Sequence, residues 1–249
     1  MTATTARLTV IIPCYNEEKN LPATVPEITG ALQGAAIADY EILIFNDCSK
    51  DKTGAVADAF ARQNPRIKVV HNNPNRGFGY NYCKGVELAS APYIVMIPGD
   101  NEHVSASLAE MFKLIGKADI IIPHVTNTEV RPPIRRIISR LFTFCINTLF
   151  DLHLRYFNGP CVHKKDLLLS VPLQTFDFAY MAVTLVRLIR RGASYLEVGT
   201  QLRPRVDGLT SAFRIKNIVS VIHSILSLFW EVRVQRRWEP QSREADHVS

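Results

Sequence analysis

The chain has few cysteines and none of the paired spacings that mark a cysteine-based site. Its 249 residues contain five cysteines, which are Cys14, Cys48, Cys83, Cys145 and Cys161. They are odd in number, widely spread and without a C-x-x-C pair, so neither a disulfide framework nor a zinc site is indicated. A reducing compartment therefore fits the sequence best.

Long hydrophobic runs are also missing. A spanning helix needs ~20 predominantly apolar residues, and the longest uncharged run, residues 218–230, is shorter. The N-terminal residues show no basic segment followed by a long apolar run, so we expect no secretory signal there. Cationic residues flank the run 218–230, which favours either a core helix or a helix lying in a membrane interface.

Charge and composition limit the class of binding partner but do not identify one. Hydrophobic residues make up 47% and charged residues 21% of the chain, and the formal net charge is +6. This composition is that of a globular protein, and its length predicts one domain over residues 1–238, followed by a disordered polar tail at 239–249. The positive charge favours an anionic partner. Nucleic acid is discounted because the aromatic and basic pattern of an RNA-binding sheet is missing.

The first half of the chain alternates short β-branched runs with helical patterns, which is typical of βαβ units on a parallel sheet. The predicted strands cover residues 8–12, 41–45, 67–70, 93–97, 119–122 and 195–198. The predicted helices cover residues 18–32, 53–63, 79–89, 105–115, 131–150 and 179–191, with a long helix after residue 212. Polar residues follow each of the first four strands, and ligands bind at this edge of an open parallel sheet.

Six segments occur in an order that resembles the inverting family 2 glycosyltransferases of GT-A fold, and among them the polyprenol-phosphate sugar synthases such as dolichol-phosphate mannose synthase. In chain order the segments read VIIPCYNEEKNL, IFNDCSKDKT, NPNRGFGYNYCKG, YIVMIPGDNE, RRIISRLFTFCIN and RVDGLTS. The resemblance covers about residues 7–230. It implies an α/β fold with a mostly parallel sheet, a nucleotide-sugar-binding half at 7–125 and an acceptor-binding half at 126–238.

The resemblance assigns residues to the nucleotide-sugar donor, which would be a GDP- or UDP-sugar. The first three segments and the last segment supply the candidates Pro13, Tyr15, Glu17, Asn46, Asp47, Asn75, Arg76 and Arg205, with Asp100 at the diphosphate. The family usually has aspartate where Asn46 stands, and an amide oxygen can still accept a hydrogen bond there. Asp51 and Thr53 match the family as well, but a helix-capping role is the stronger interpretation.

The fourth segment is the predicted metal and diphosphate corner. The family usually carries Asp-x-Asp followed two residues later by Gln, whereas this chain has Pro98, Asp100 and Glu102 at those positions. Mg²⁺ or Mn²⁺ needs only one or two protein carboxylates when substrate phosphates complete its shell. We therefore expect Asp100 and Glu102 to hold the metal. The alternative is a polar turn that leads into a helix.

The fifth segment is a basic amphipathic helix, for which the resemblance implies contact with a lipid phosphate. Arg135, Arg136, Ser139 and Arg140 are the candidates, and Arg136 is also a candidate catalytic residue that neutralises charge. A guanidinium can bind two phosphate oxygens at once. The alternative is a core helix with a solvated basic face.

The helix predicted at 179–191 lacks the acid that many relatives carry near Val183. A hydroxyl acceptor needs a base, which is worth about 10²–10⁴ in rate, whereas a phosphate acceptor is already ionised. The missing acid mildly favours a phosphate acceptor, and the resemblance implies a hexosyltransferase that uses a polyprenyl phosphate and lies peripherally on the cytoplasmic face of the membrane. Two alternatives stay open: a soluble family 2 enzyme that acts on a saccharide or small-molecule hydroxyl with Asp177 as base, and a catalytically silent nucleotide-binding scaffold.

Overall fold

A seven-stranded sheet forms the centre of the protein. The computed structural model describes residues 7–173, 177–204 and 215–238, so Arg205 and the predicted tail 239–249 lie outside the described residues. The strands are β1 (Leu8–Cys14), β2 (Tyr40–Asp47), β3 (Ile67–Asn72), β4 (Tyr93–Met96), β5 (Ile120–Val125), β6 (Val162–Lys164) and β7 (Tyr195–Thr200). Their order in the sheet is β3-β2-β1-β4-β6-β5-β7.

The predicted parallel pairing of the strands is confirmed, except that one short antiparallel strand is inserted in the sheet. β1 pairs in parallel with β2 and β4, and β5 pairs in parallel with β7. β6 runs antiparallel between β4 and β5. Sequence patterning missed β6 because three residues are too few to establish an alternation.

Helices cover both faces of the sheet. They are α1 (Leu21–Gly34), α2 (Thr53–Gln63), α3 (Phe78–Leu88), α4 (Ser105–Phe112), α5 (Pro133–Phe150), α6 (Lys165–Leu169), α7 (Tyr180–Arg190) and α8 (Ile215–Phe229). A π-helical turn at Trp230–Val234 continues α8. Every residue of β1 is buried, as expected for a strand that is covered on both faces. A β-carbon on Gly85 of α3 would lie 2.7 Å from Cγ1 of Ile11, so a glycine lets α3 approach β1 closely.

Two helices of the second half expose their apolar faces. On α5 the exposed large apolar residues are Ile134, Ile137, Ile138, Leu141 and Phe144, and on α8 and its continuation they are Ile218, Val219, Ile222, Leu226, Phe229, Trp230 and Val234. By length and composition, one helical stretch among the described residues, Asn217–Val234, could cross a membrane, and 11% of it is buried. The expectation that the run 218–230 is too short is therefore not upheld, because the helix continues beyond it.

Polar contacts anchor the opposite face of α8 to the α/β body. Asp177 accepts hydrogen bonds from the hydroxyls of Ser220 and Ser224 at 2.8 and 2.6 Å. At the other end, Arg187 Nη2 lies 2.9 Å from both carboxylate oxygens of Glu231. These attachments hold α8 along the protein surface with its apolar face outward.

His163 on β6 is a buried polar residue in the core. Its side chain is fully buried, and its ring nitrogens have no hydrogen-bond partner in the described part of the chain. Burial lowers its pKa to about 3, an effect that the neighbouring Cys161 backbone opposes only in part. The ring is therefore neutral in the folded protein at any pH near 7.

We expect this histidine to make stability depend on pH. Because the folded-state pKa lies below the unfolded value of about 6.5, stability is retained above pH 6.5 and lost as pH falls toward 3. At pH 5 the loss is about 2 kcal/mol relative to pH 7.5. His163→Leu should reduce the pH dependence of the free energy of unfolding by that amount in urea titrations. The exposed His153→Gln is the control, and an unchanged pH dependence in His163→Leu would contradict the assignment.

Candidate active site

The loops after β1 and β2 are joined into one wall by side-chain to backbone hydrogen bonds. The backbone N–H of Glu17 donates to the hydroxyl of Thr53 at 2.7 Å, and that of Glu18 donates to Asp51 at 3.2 Å. Asp51 also accepts the N–H of Thr53 at 3.0 Å, where α2 begins. Asp51 and Thr53 thus fasten the loops, while Tyr15 remains 47% exposed at the mouth of the cavity described below.

Asp47 organises the loop that leads into α3. Its carboxylate is buried and accepts the backbone N–H groups of Arg76 and Gly77, each at 2.8 Å. Its backbone carbonyl accepts the amide of Asn75 at 2.8 Å. Gly77 has φ of +86°, a conformation that favours glycine. Asp47 and Asn75 therefore lie together at the carboxyl edge, and their contact with a nucleotide stays a prediction.

Two other residues that were predicted to bind the nucleotide-sugar donor make contacts outside the cavity. The Asn46 amide nitrogen lies 3.0 Å from Nδ1 of His71, and the guanidinium of Arg76 lies 5.4 Å from the ring centroid of Tyr80. Neither Asn46 nor Arg76 is among the described residues that line the cavity. Their predicted roles in donor binding stay predictions.

The segment after β4 lies tightly against the end of β1. Gly99 N–H donates to the Pro13 carbonyl at 3.1 Å, and a β-carbon on Gly99 would lie 2.6 Å from Sγ of Cys14. Only glycine permits this approach. Asp100 follows directly, and its carboxylate accepts the N–H of Glu102 at 3.3 Å. The chain thus places Asp100 beside Pro13 on the cavity wall.

Glu102 connects this corner to α5. Its side chain is 9% exposed and lies 3.6 Å from Nη1 of Arg135. The next residue, His103, forms an isolated β-bridge with Leu202. Burial lowers the pKa of His103 to about 4, so its ring is neutral near pH 7. The predicted metal corner and the predicted acceptor helix therefore meet at Glu102 and Arg135.

Sequence reasoning missed the contact that braces this corner from α1. Arg203 donates from Nη2 to Glu27 at 2.6 Å and from Nη1 to Asn101 at 3.3 Å. Glu27 also accepts the N–H of Ser105 at 2.8 Å. Glu27 and Arg203 are 176 positions apart, so no local pattern could have indicated the pair.

Helical spacing divides the predicted acceptor residues. Arg135 and Ser139 line the cavity together with Arg131, which lies in extended backbone just before α5 begins. Arg136 and Arg140 are not among the described lining residues, and Arg140 is exposed. Residues four apart share a helix face, whereas neighbours do not. Sequence patterning did not single out Arg131, because it lies before the helix and its position in the cavity wall depends on the fold.

Asp177 lines the cavity but is already engaged. Besides the two serine hydroxyls of α8, its carboxylate accepts the N–H of Ala179 at 2.8 Å. Such contacts stabilise a charged carboxylate and fix its orientation. They give Asp177 a role in docking α8, and its action as a base stays a prediction.

One cavity of about 2070 Å³ joins these parts. Its polar end contains Pro13, Tyr15, Glu17, Asp47, Asp100 and Glu102, its middle contains Arg131 and Arg135, and its apolar walls come from α5 and α8 through Ile138, Leu141, Phe142, Ile218, Val221, Ile222 and Ile225. A polar ligand and a long apolar ligand can therefore meet in the same space.

The oxygen ligands at the polar end suit a hard divalent cation. Among the described residues no group of three or more His, Cys, Asp or Glu side chains could hold a metal by itself. Asp100 and Glu102 supply one or two carboxylates, which is enough only when a diphosphate and water provide the other ligands. The residues therefore fit a metal that arrives with its substrate.

Comparison with known proteins identifies the family to which the chain belongs. A sequence model described as glycosyl transferase family 2 matches residues 9–170. The chain belongs to glycosyl transferase family 2. This confirms the family that the ordered motifs predicted.

Curated relatives of this family 2 glycosyltransferase include two lipid-phosphate enzymes. The polyprenol monophosphomannose synthase of Mycolicibacterium smegmatis is 26% identical over 226 residues, which cover 83% of this chain and 81% of the relative. The dolichol-phosphate mannosyltransferase of Pyrococcus furiosus is 30% identical over 240 residues. That match covers 92% of this chain and 66% of the longer archaeal protein.

Solved structures confirm the GT-A fold. The glucosyl-3-phosphoglycerate synthase of Mycobacterium tuberculosis, solved with Mn²⁺, UDP and glucosyl-3-phosphoglycerate, superposes with a TM-score of 0.70 at 16% identity. The match covers 95% of this chain and 82% of that protein. The prediction of an α/β GT-A fold with a mostly parallel sheet is therefore confirmed.

Proposed function

We propose that this family 2 glycosyltransferase moves a sugar from a nucleotide-sugar donor, a GDP- or UDP-sugar, to a polyprenyl phosphate. The observation that carries the proposal is that one cavity is lined by a carboxylate corner, two arginines and apolar helix walls. A nucleotide diphosphate suits the first part, a phosphate suits the second, and an isoprenoid chain suits the third. The two lipid-phosphate relatives support the same acceptor class.

In the proposed reaction, separate groups of residues bind the donor, the metal and the acceptor. Tyr15 and the loops fastened by Asp47 form the donor wall, and Asp100 with Glu102 would hold Mg²⁺ or Mn²⁺ against the diphosphate. The metal, when bound, supplies the positive charge that stabilises the departing nucleotide. Arg135 and Ser139 bind the acceptor phosphate and direct its oxygen toward the anomeric carbon. The carbon–oxygen bond to the acceptor forms as the bond to the diphosphate breaks, which inverts the anomeric centre.

A phosphate acceptor also fits the hydrogen bonds that already engage the Asp177 carboxylate. This carboxylate accepts three hydrogen bonds, of which the two from Ser220 and Ser224 tie α8 to the body, whereas a general base must reach the proton that it removes. A phosphate oxygen is already ionised and needs no base. This observation favours the lipid phosphate over a saccharide hydroxyl.

The exposed apolar faces of α5 and α8 support a peripheral position on the cytoplasmic face of the membrane. Both faces border the apolar part of the cavity through Ile138, Leu141 and Ile222. An amphipathic helix with an apolar face and flanking cations lies in the plane of a membrane interface. A lipid acceptor could then enter the cavity without leaving the membrane.

The acceptor class can be tested in one assay. Purified protein in detergent with Mn²⁺ receives radiolabelled UDP- or GDP-sugars and either undecaprenyl phosphate, undecaprenol or 3-phosphoglycerate. We expect labelled product only in the organic phase and only with undecaprenyl phosphate. Product on 3-phosphoglycerate or on undecaprenol would contradict the proposal, and donor binding without turnover on any acceptor would support a silent scaffold.

A further inference from the structure

Arg131 is a cation in the cavity wall whose hydrogen-bonding capacity is only partly used. Nη1 donates to the Tyr156 hydroxyl at 3.1 Å, and the guanidinium carbon lies 5.5 Å from the centroid of that ring. Its Nε is buried without a hydrogen-bond partner, and no carboxylate lies within 4.0 Å of it among the described residues. A buried N–H group without a hydrogen-bond partner is costly, and Arg131 as a whole is half-buried, so this position favours an incoming anion.

The groups around Arg131 leave the middle of the cavity positive. Arg135, in the first turn of α5, faces the same cavity, and its contact with Glu102 is 3.6 Å long, which is too long for a hydrogen bond. Two guanidinium groups therefore face one carboxylate, Glu102, at this point.

We propose that Arg131 is a phosphate ligand of the site and acts together with Arg135. The inference rests on the proposed function for the source of the phosphate, which is either the lipid acceptor or the diphosphate of the donor. Two guanidinium groups that line the same cavity, one just before α5 and one in its first turn, can each present a planar pair of donors to phosphate oxygens. The hydrogen bond and ring contact with Tyr156 restrict the Arg131 side chain, which reduces the side-chain freedom lost on binding.

Arg131→Gln tests the inference by removing the charge while keeping a polar side chain. Isothermal titration with geranyl phosphate and with UDP plus Mn²⁺ measures the two phosphate sources separately. Because a hydrogen bond to a charged group is worth about 1.5–3 kcal/mol, we expect binding of one of them to weaken about 10- to 100-fold. Arg131→Lys should restore part of the affinity, since it keeps the charge without the planar pair of donors.

The matched control is Arg66→Gln. Arg66 also lies over a tyrosine, with 4.9 Å from its guanidinium carbon to the ring centroid of Tyr40, but it is not among the described cavity residues. Its loss should leave both affinities unchanged. A purely structural role for Arg131 predicts a lower Tm in Arg131→Gln with both affinities unchanged, and that result would overturn the inference.

The outcomes separate the inference from the proposed function. Weaker geranyl phosphate binding in Arg131→Gln assigns Arg131 to the acceptor, and weaker UDP binding assigns it to the donor. Either result sustains the inference even if the wild type forms no lipid product, which would count against the proposed function alone. Wild-type protein that binds neither probe would overturn both.

Discussion

Asp100→Ala is expected to lower the transfer rate by about 100-fold or more and to weaken Mn²⁺ binding in the presence of UDP. Asp100 is the carboxylate that the close approach of Gly99 to β1 brings to the cavity wall. Loss of a supporting group next to a metal costs 10- to 100-fold, and loss of a direct ligand should cost at least as much. Steady-state rates and electron paramagnetic resonance of free Mn²⁺ measure the two effects independently.

The control for Asp100 is Asp166→Ala. Asp166 is an exposed carboxylate in the first turn of α6, so its loss removes the same charge at a distance from the cavity. The rate and the Mn²⁺ affinity should both stay at the wild-type level. If Asp100→Ala instead kept full activity and the same dependence on Mn²⁺, the metal corner would be assigned wrongly.

Arg187→Ala is expected to destabilise the protein by about 3 kcal/mol, at the lower end of the cost of breaking a buried ion pair, because Glu231 is 18% exposed at its side chain and keeps a hydrogen bond from Trp238 at 3.0 Å. Arg187 is 9% exposed at its side chain and makes three contacts of 2.9–3.2 Å with Glu231. It also donates to the Pro172 carbonyl at 2.6 Å. Urea unfolding followed by circular dichroism measures the change in free energy.

Two further variants separate loss of the ion pair from loss of packing. Arg191→Ala removes another arginine beside Trp238, with 5.9 Å from guanidinium carbon to ring centroid. Because Arg191 is exposed, we expect a cost below about 1 kcal/mol. The double variant Arg187→Met, Glu231→Leu should regain most of the lost stability, since apolar pairs often replace buried ion pairs without cost. Equal destabilisation by all three variants would contradict a specific role for the pair.

Strand and helix positions were predictable where the pattern is long and regular. Helix α2 spans the predicted residues 53–63, and strands β1 and β2 extend the predicted cores by a few residues. Element ends depend on hydrogen bonds made across the fold, which local propensity does not contain. β6 escaped prediction for the related reason that its three residues form a strand only because β4 and β5 lie on either side.

The site was predictable in its chemistry and less so in its geometry. The ordered motifs identified the family, and the polar clusters after the strands indicated the edge at which Tyr15, Asp47 and Asp100 lie. The motif of the fifth segment assigned Arg136 and Arg140 to the same role as Arg135. The fold separates them, because the direction of a helix face relative to the sheet is set by packing and not by the motif.

The sequence by itself determined the family, the parallel βαβ organisation and the presence of a carboxylate corner followed by a basic amphipathic helix, since each of these depends on residues that are close along the chain. Only the tertiary structure decided that Glu102 faces Arg135, that Arg131 joins the cavity, and that Asp177 holds α8 through Ser220 and Ser224. These contacts join residues tens of positions apart. They depend on how the helices pack against the sheet, which no short segment of the chain encodes alone.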